Sequence, residues 1–494
     1  MSGAKRSKTK GEITAEEATW FRQVAGAAVP AERENRTINF KPRQDIMEHI
    51  KDDVDVLVIG GGTAGTIAAI QSARSGQRTA LLESGSQLGG VTTTGGVSFP
   101  GLFHAWGRQI VAGIGWELVT KAVALDSGEM PDFSVPPLRH WWHQIRINGP
   151  VYAALAEEAC LQSGVELHYY EIPIEVSETK NGWKVKTVGK GISRLITTNQ
   201  LIDCTGGADI VGAIGLPRLR EEETQPGTLI FKLAGYDVES LDERIIQTNF
   251  MAAMEDGRLQ HGDISNPQGR FIDFLGSGGE NAQHVFGADS STSDRHTKTN
   301  IAGRQSLLRI LRFVRSLPGC KNARVMKAQA ETAVRETYRI VGEEQISYQD
   351  YISGWIFDDA VSYSFYPIDL HDRDGVRPQP LAEGIVATVP LRALIPKGSK
   401  NLLVAGRSVS SDRLANSALR VQASSMAMGQ AAGAAAALSA SQEVTPSQIQ
   451  IAELRELLLQ HQAIVPIPEV TAINEQRINA NKSSVNYQVN ASSN

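Results

Sequence analysis

A chain of 494 residues is too long for one simple core, so two or more subdomains are expected. It is 41% hydrophobic and 21% charged, and its 49 basic against 54 acidic residues leave a formal net charge of -5, a balance that asks for neither nucleic acid nor an anionic membrane. The three cysteines, Cys160, Cys204 and Cys320, stand far apart, which argues against a disulfide framework or a zinc or iron–sulfur site, and no metal is expected.

Residues 1–50 are polar and read as an extension that Trp20-Phe21 could anchor. Lys5, Arg6, Lys8 and Lys10 are not followed by an apolar run, so no signal peptide is expected. The apolar stretches at 54–59 and 430–438 are too short or too alanine-rich to span a bilayer. The expectation is a cytoplasmic protein, in which the sequons at Asn35, Asn481 and Asn490 carry no meaning.

Val54 to Gly60 reads as an apolar strand. GGGTAG follows, then a helix of small residues ending near Gly76, then a strand Thr79–Glu83 that closes on an acid. Gly60, Gly62 and Gly65, with Thr63 and Ala64 between the last two, form G-x-G-x-x-G. The first glycine permits a tight turn, the second lets backbone approach a pyrophosphate, and the third lets helix and strand pack closely. The helix N-terminus offers unpaired N–H groups to the phosphates. Glu83, with Ser84 beside it, stands where a carboxylate can accept both ribose hydroxyls of an adenosine. Strand, glycines, helix and acid in this order predict a dinucleotide site. The chain then runs LGGVTTTGGVSFPGLFHAWG, where a nicotinamide enzyme would resume alternating strands and helices. A loop of this kind, through Gly89, Gly90, Thr94 and Gly95, suits an extended cofactor lying along it.

The cluster His140-Trp141-Trp142-His143 reads either as a wall of a substrate pocket or as packing or a subunit contact. Residues 151–170 read as a helix and a strand, and 171–206 as strands turning at Asn181-Gly182 and Gly189 to Gly191. LIDCTGG at 201–207 is a strand whose end, with Thr205 and Gly206, brings backbone close to the adenine side of the cofactor. From Phe231 to about Pro396 an antiparallel sheet is expected, with helices at 238–254, 298–315 and 323–337. NLLVAGR from Asn401 reads as a buried strand ending at Gly406-Arg407. A helix from Ser425 to Leu438 follows, its Gly429 and Gly433 allowing close packing against the sheet. Its first turn, at Ser425 and Met426, offers N–H groups to a flavin edge or a phosphate. Residues 446–462 predict an amphipathic helix with Leu454, Leu457 and Leu458 on one side, and the tail from about 471 reads as loose.

Taken together, these markers resemble the FAD-dependent oxidoreductase family of the glutathione-reductase-like superfamily. The likeness rests on Gly60–Gly65, Glu83, Leu88–Gly90, Thr94–Gly95, DCTGG at 203–207, RETYRIVG at 335–342, FYPIDLH at 365–371, Gly406-Arg407 and the stretch 418–433. It covers roughly residues 52 to 460. It implies an α/β fold: a glutathione-reductase-like, Rossmann-type FAD-binding domain with an inserted α+β substrate domain. The implied boundaries are an extension at 1–50, FAD-binding segments at 51–235 and 398–440, a substrate domain at 236–397, and a C-terminal helix and tail at 441–494. FAD is expected to be held non-covalently, since no attachment pattern stands out. The chain departs from the family where Gly207-Ala208-Asp209 carries its acid one place late, and again at 270–300, with His284 and the polar run Asp289–Asn300.

A flavin performs the electron chemistry, and the protein must handle a proton. The resemblance places His371 near the isoalloxazine, where it either takes that proton or is a core histidine bonded to Asp369. His104 either faces the flavin or caps a turn. Arg339 and Arg373 are candidates for an anionic substrate or the flavin pyrimidine, and Arg407 for the cofactor. The expected activity is oxidation of a small organic substrate by hydride transfer to flavin N5, with oxygen or another carrier as final acceptor. A flavin monooxygenase, a flavin-holding protein without turnover, and a reductase or isomerase using reduced flavin stay open, as does a homo-oligomer.

Overall fold

An uninterrupted apolar run such as 56–59 suits a strand covered on both faces. In a computed structural model it forms the inner end of β1 (Glu48–Ile59), with Val56, Leu57 and Val58 fully buried. The structure describes residues 47–135, 139–373, 375–376 and 378–466. The anchor expected at Trp20-Phe21, the three sequons and the tail from 471 lie outside the described residues.

β1 feeds helix α1 (Thr63–Arg74), and the chain returns as β2 (Thr79–Glu83), parallel to β1. The helix Gly149–Gln162 leads to β3 (Glu166–Tyr169), which extends the sheet in parallel beyond β2. An antiparallel meander follows: β4 (Ile172–Thr179), β5 (Gly182–Gly189) and β6 (Ile192–Asp203). β6 turns the sheet parallel again by lying against β1 along nearly its whole length. Far along the chain, β7 (Leu402–Val404) completes a seven-stranded sheet of order β3-β2-β1-β6-β5-β4, with β7 also on β6. β5 and β7 share one edge of β6: β5 pairs with residues 192–198 and β7 with 201–203. The register sets Ile59 beside Leu82 and Asp203, and Asp203 beside Val404. The segments that begin at Gly60, Ser84, Cys204 and Ala405 therefore leave the sheet along one edge, the carboxyl ends of parallel strands, where α/β sheets bind ligands.

Helix α2 (Gln422–Gln442) is buried over most of its surface. The helix touches β6 and β1 of the sheet, but Gly429 and Gly433, expected to approach the sheet, approach α1. A Cβ at Gly429 would stand 2.2 Å from the Ala64 carbonyl oxygen, and one at Gly433 2.4 Å from that of Ala68. Ser72 Oγ adds a hydrogen bond to the Gly433 carbonyl (3.0 Å). A Gly433→Val change is expected to destabilise the protein by about 3 kcal/mol or more, because backbone rather than a flexible side chain must move. A thermal melt checks this, and an unchanged midpoint would show that the two helices separate freely.

A second hydrophobic cluster gathers Phe231, Phe250, Phe271 and Phe313 between an antiparallel three-stranded sheet and two helices, Glu243–Glu255 and Ser293–Ser316. That sheet holds Phe231–Ala234 between Gly279–Glu280 and Arg324–Ala328. The helix expected at 323–337 is thus absent, and its first residues form an edge strand. Its local propensity is overridden by pairing with Phe231–Ala234. The helix expected from 238 begins at Glu243, after a 3-10 turn at Val238–Ser240. The last helix, Ile451–Gln460, buries Leu454 and Leu458. Among the described residues no helix is long and apolar enough to cross a membrane.

Candidate active site

The three glycines of the first turn do different work. At Gly60 (φ +99) a Cβ would meet the Cys204 carbonyl oxygen at 2.5 Å, and at Gly65 it would meet the Gly60 oxygen at 1.8 Å. These two close the turn. Gly62 has φ -73, and the nearest protein atom to a Cβ there, Gly90 Cα, is 4.0 Å away. It faces open space. α1 starts at this point with no side chain capping it, so the N–H groups of its first turn are free for an outside acceptor. Beside the turn, the Glu83 carboxylate accepts the N–H of Gly61 (2.8 Å) and of Gly85 (2.6 Å), and Ser84 Oγ lies 3.3 Å from it.

α2 begins at Gln422, earlier than expected, so Ser425 and Met426 fall beyond its first turn. Ser425 Oγ reaches back to the Arg420 carbonyl (3.4 Å), and Met426 lies against Gly115. The start of α2 is also uncapped by any side chain. A polar bridge joins the two helix starts. Thr63 Oγ1 is 3.0 Å from Thr92 Oγ1, and Thr92 Oγ1 donates to Gln422 Oε1 (3.0 Å). The loop that carries Thr92 is fixed within itself: Gly95 N–H donates to the Gly90 carbonyl (3.1 Å), and Thr94 Oγ1 accepts from Gln87 Nε2 (3.1 Å). Gly89 and Gly90 both have positive φ, and a Cβ at Gly90 would stand 2.9 Å from Gly62 Cα. Two uncapped helix starts, a glycine loop between them and a carboxylate at the next strand end make a donor and acceptor set that fits a dinucleotide.

Beyond β6, buried Asp203 organises the next turn. It accepts from Thr205 Oγ1 (2.7 Å) and from the N–H of Ile210 (2.9 Å), and burial pushes its carboxyl up to about 6. Thr205 is thereby committed to the turn. The Gly206 carbonyl accepts from Arg407 Nε (2.7 Å), and Arg407 Nη1 donates to the Val334 carbonyl (2.6 Å). Gly406 (φ +93) lets that arginine leave β7 close to Ala64.

A cleft opens next to Gln422. Arg335, Tyr366, Asp369, His371, Arg407 and Arg420 line it. His371 Nε2 lies 3.1 Å from Asp369 Oδ2, and His371 Nδ1 lies 3.0 Å from His284 Nε2. Arg420 Nη2 donates to the same Asp369 oxygen (3.3 Å). Although burial opposes ionisation of Asp369, the His371 hydrogen bond and the Arg420 and Arg335 cations hold its carboxyl far below the usual carboxylate range. Burial, then the charge of Arg335, pushes His371 down to about 4, with Asp369 opposing in part. Burial pushes His284 to about 3. Both histidines are therefore neutral near pH 7. The ionised Asp369 makes His371 Nε2 the N–H, which leaves Nδ1 as the acceptor toward His284; the tautomers are assigned from this network.

Of the residues singled out for catalysis, His371 alone lines the cleft. His104 stacks on Phe133 (ring centroids 3.8 Å), near Trp116, and its Nδ1 is buried without a partner among the described residues. Arg339 is buried, donating to Glu221 (2.6 Å) and to the Ser411 carbonyl (3.1 Å). Arg373 is exposed, 3.7 Å from Glu223. Trp141 and Trp142 are exposed, while His140 meets Tyr366, a cleft residue, edge-on at 5.0 Å. Arg335, Tyr366 and Arg420 carried no expected role, although all three stand inside the segments on which the family resemblance rests. The pairing of Asp369 with His371 was legible from their spacing.

The sequence model of the family described as FAD dependent oxidoreductase matches residues 55–458. No curated protein matches the chain. Among solved structures, OxyS anhydrotetracycline hydroxylase from Streptomyces rimosus is similar at 16% identity and a TM-score of 0.28, over 37% of this chain and 38% of its own. The chain thus spans well under half of that hydroxylase. A geranylgeranyl bacteriochlorophyll reductase-like protein from Thermoplasma acidophilum is similar at 11% identity and a TM-score of 0.40, over 84% of this chain and 85% of its own. Likenesses this distant do not bear on the reaction.

Proposed function

The chain belongs to the FAD dependent oxidoreductase family, and on that premise we propose that it oxidises a small organic molecule in the cleft beside Asp369 and His371. Its cofactor is FAD. The residues fit it: the first turn of α1 and Glu83 suit the phosphates and a ribose, and the loop at 89–97 with the start of α2 leads to the cleft. Bound there, FAD would supply a hydride acceptor and a route for the electrons to oxygen or another carrier.

The chain's own residues do the rest. Thr228 and Asn281, from the segment with the second core, line the cleft. The observation that carries the reading is His371, neutral, oriented by Asp369 and lining this cleft. An alcohol or amine that loses hydride must also lose a proton. His371 Nδ1 takes it, the substrate O–H or N–H displacing the contact from His284, and the imidazolium so formed faces the Asp369 carboxylate.

An absorbance scan of the purified protein, repeated after acid precipitation, tests the first step. The expected result is the two-band spectrum of oxidised flavin, with yellow supernatant after precipitation. A yellow pellet would mean a covalent link. Colourless protein that takes up no FAD would sink the enzyme reading.

A further inference from the structure

Several arginines that are buried or half-buried in this fold are paired with carboxylates, although buried Arg455 is bonded to the carbonyls of Ala360 and Asp358 instead. Arg309 meets Asp263 at 2.7 Å, Arg220 meets Asp289 at 2.6 Å, and Arg339 meets Glu221 at 2.6 Å. The cleft breaks that pattern. Three guanidinium groups line it, those of Arg335, Arg407 and Arg420, and Asp369 is the one carboxylate among its lining residues. Asp369 is taken by Arg420 and His371. Arg407 is spent on the carbonyls of Gly206 and Val334 at the sheet edge. Arg335 is left over. Its Nη1 is anchored by the Pro226 carbonyl and by Thr228 Oγ1 (3.0 Å), while its Nε and Nη2 meet no hydrogen-bond partner among the described residues. Those two groups form one edge of the guanidinium, the edge that grips a planar pair of oxygens. Arg420 Nε is likewise buried without a partner. The rest of the lining sets apolar side chains, Val97, Phe99 and Val334 among them, beside the amides of Gln144, Asn281 and Gln422.

We infer that the substrate is an organic acid with an apolar body, its carboxylate held by the Nε–Nη2 edge of Arg335. The inference rests on the oxidoreductase reading above. A surplus cation in a partly desolvated cleft is costly until an anion joins it, and a carboxylate offers two oxygens in the matching plane. Held by Arg335, such an acid has its oxidisable carbon in the same cleft as His371, the base proposed above. The rival occupant of Arg335 is the flavin's own pyrimidine edge, and the test separates the two.

The FAD-loaded protein is titrated at constant ionic strength with benzoate, and with benzamide as its neutral isostere, following the flavin absorbance and the heat of binding. Phenylacetate and hexanoate are added as longer acids. The expected result is a saturable response to at least one acid, with benzamide bound about tenfold or more weakly, as follows from losing a charged hydrogen bond. Arg335→Met is expected to lower acid affinity about tenfold or more while keeping one FAD per chain, and Arg335→Lys to fall between. Should Arg335→Met fail to fold, Arg335→Lys and the acid–amide comparison on the parent decide. No response to any of the three acids, equal binding of acid and amide, or unchanged affinity in the variants would overturn the inference. So would loss of FAD from folded Arg335→Met or Arg335→Lys, which would assign the arginine to the cofactor. In each of these outcomes a parent protein that still holds FAD leaves the oxidoreductase reading standing.

Discussion

Gly62→Ala is expected to melt at the parent's temperature and to bind FAD at least about tenfold more weakly, whereas Gly65→Ala, the same methyl three residues on, is expected to lose stability outright. The difference lies in what each methyl would meet. At position 65 it would stand 1.8 Å from the Gly60 carbonyl oxygen and 2.9 Å from Cys204 Cβ, so α1 must shift off the sheet. Overpacking against backbone costs about 3 kcal/mol or more. At position 62 nothing lies closer than 4.0 Å, and φ of -73 suits alanine. Loss of glycine's freedom in the unfolded chain even favours the apo fold slightly. The methyl instead occupies the open space before the uncapped first turn of α1, where phosphates take N–H groups by close backbone approach. Melting of the apo protein and titration with FAD separate the two effects. A Gly62→Ala protein that binds FAD like the parent would mean the phosphates sit elsewhere.

Local requirements made this part of the fold legible. The turn at Gly60–Gly65 and the acid closing β2 depend on neighbours in sequence, and the structure has them where the sequence puts them. β7 was legible for the same reason, as an apolar run ending in Gly406-Arg407. Pairing at a distance was not. Arg324–Ala328 reads as helix until Phe231–Ala234 is set beside it, and nothing within 323–337 announces that partner. The glycines of α2 announced close packing, yet only the fold reveals that α1 is what they approach. The cleft shows the same division. Asp369 and His371 are near neighbours, so their pairing could be foreseen. His284, Arg335 and Arg420 come from three other segments and meet these two only in space. In RETYRIVG, two arginines four places apart part company: Arg339 turns to Glu221 and Ser411, and Arg335 lines the cleft. Charge alone could not choose between them.

Asp369→Asn is expected to have the second large effect, and chiefly on the proton. Asparagine keeps the shape but can neither fix His371 Nε2 as the N–H nor balance an imidazolium. Oxidation of substrate, followed as anaerobic bleaching of the flavin, is expected to slow by about 10²–10⁴-fold, the range of general acid–base catalysis. The pH dependence has a definite sign. His371 is held down to about 4 by burial and Arg335, with Asp369 pulling the other way, so the parent rate should climb through about pH 4. Without the carboxylate the imidazolium is harder still to form, and the climb moves to lower pH. Stability should follow the carboxylate itself. Its folded pKa lies below the ordinary 3.8, so its contribution is complete above that value and fades as acid protonates it. The variant should therefore be less stable than the parent at pH 7, by roughly 3 kcal/mol for a buried cation left unpaired, and the gap should close in acid. FAD content should not change, because the bonds of Asp369 run to His371, Arg420 and Ser417 and not to the glycine turn. A variant that oxidises substrate at the parent's rate with an unmoved acid limb would remove His371 from the chemistry and leave the pair a packing feature.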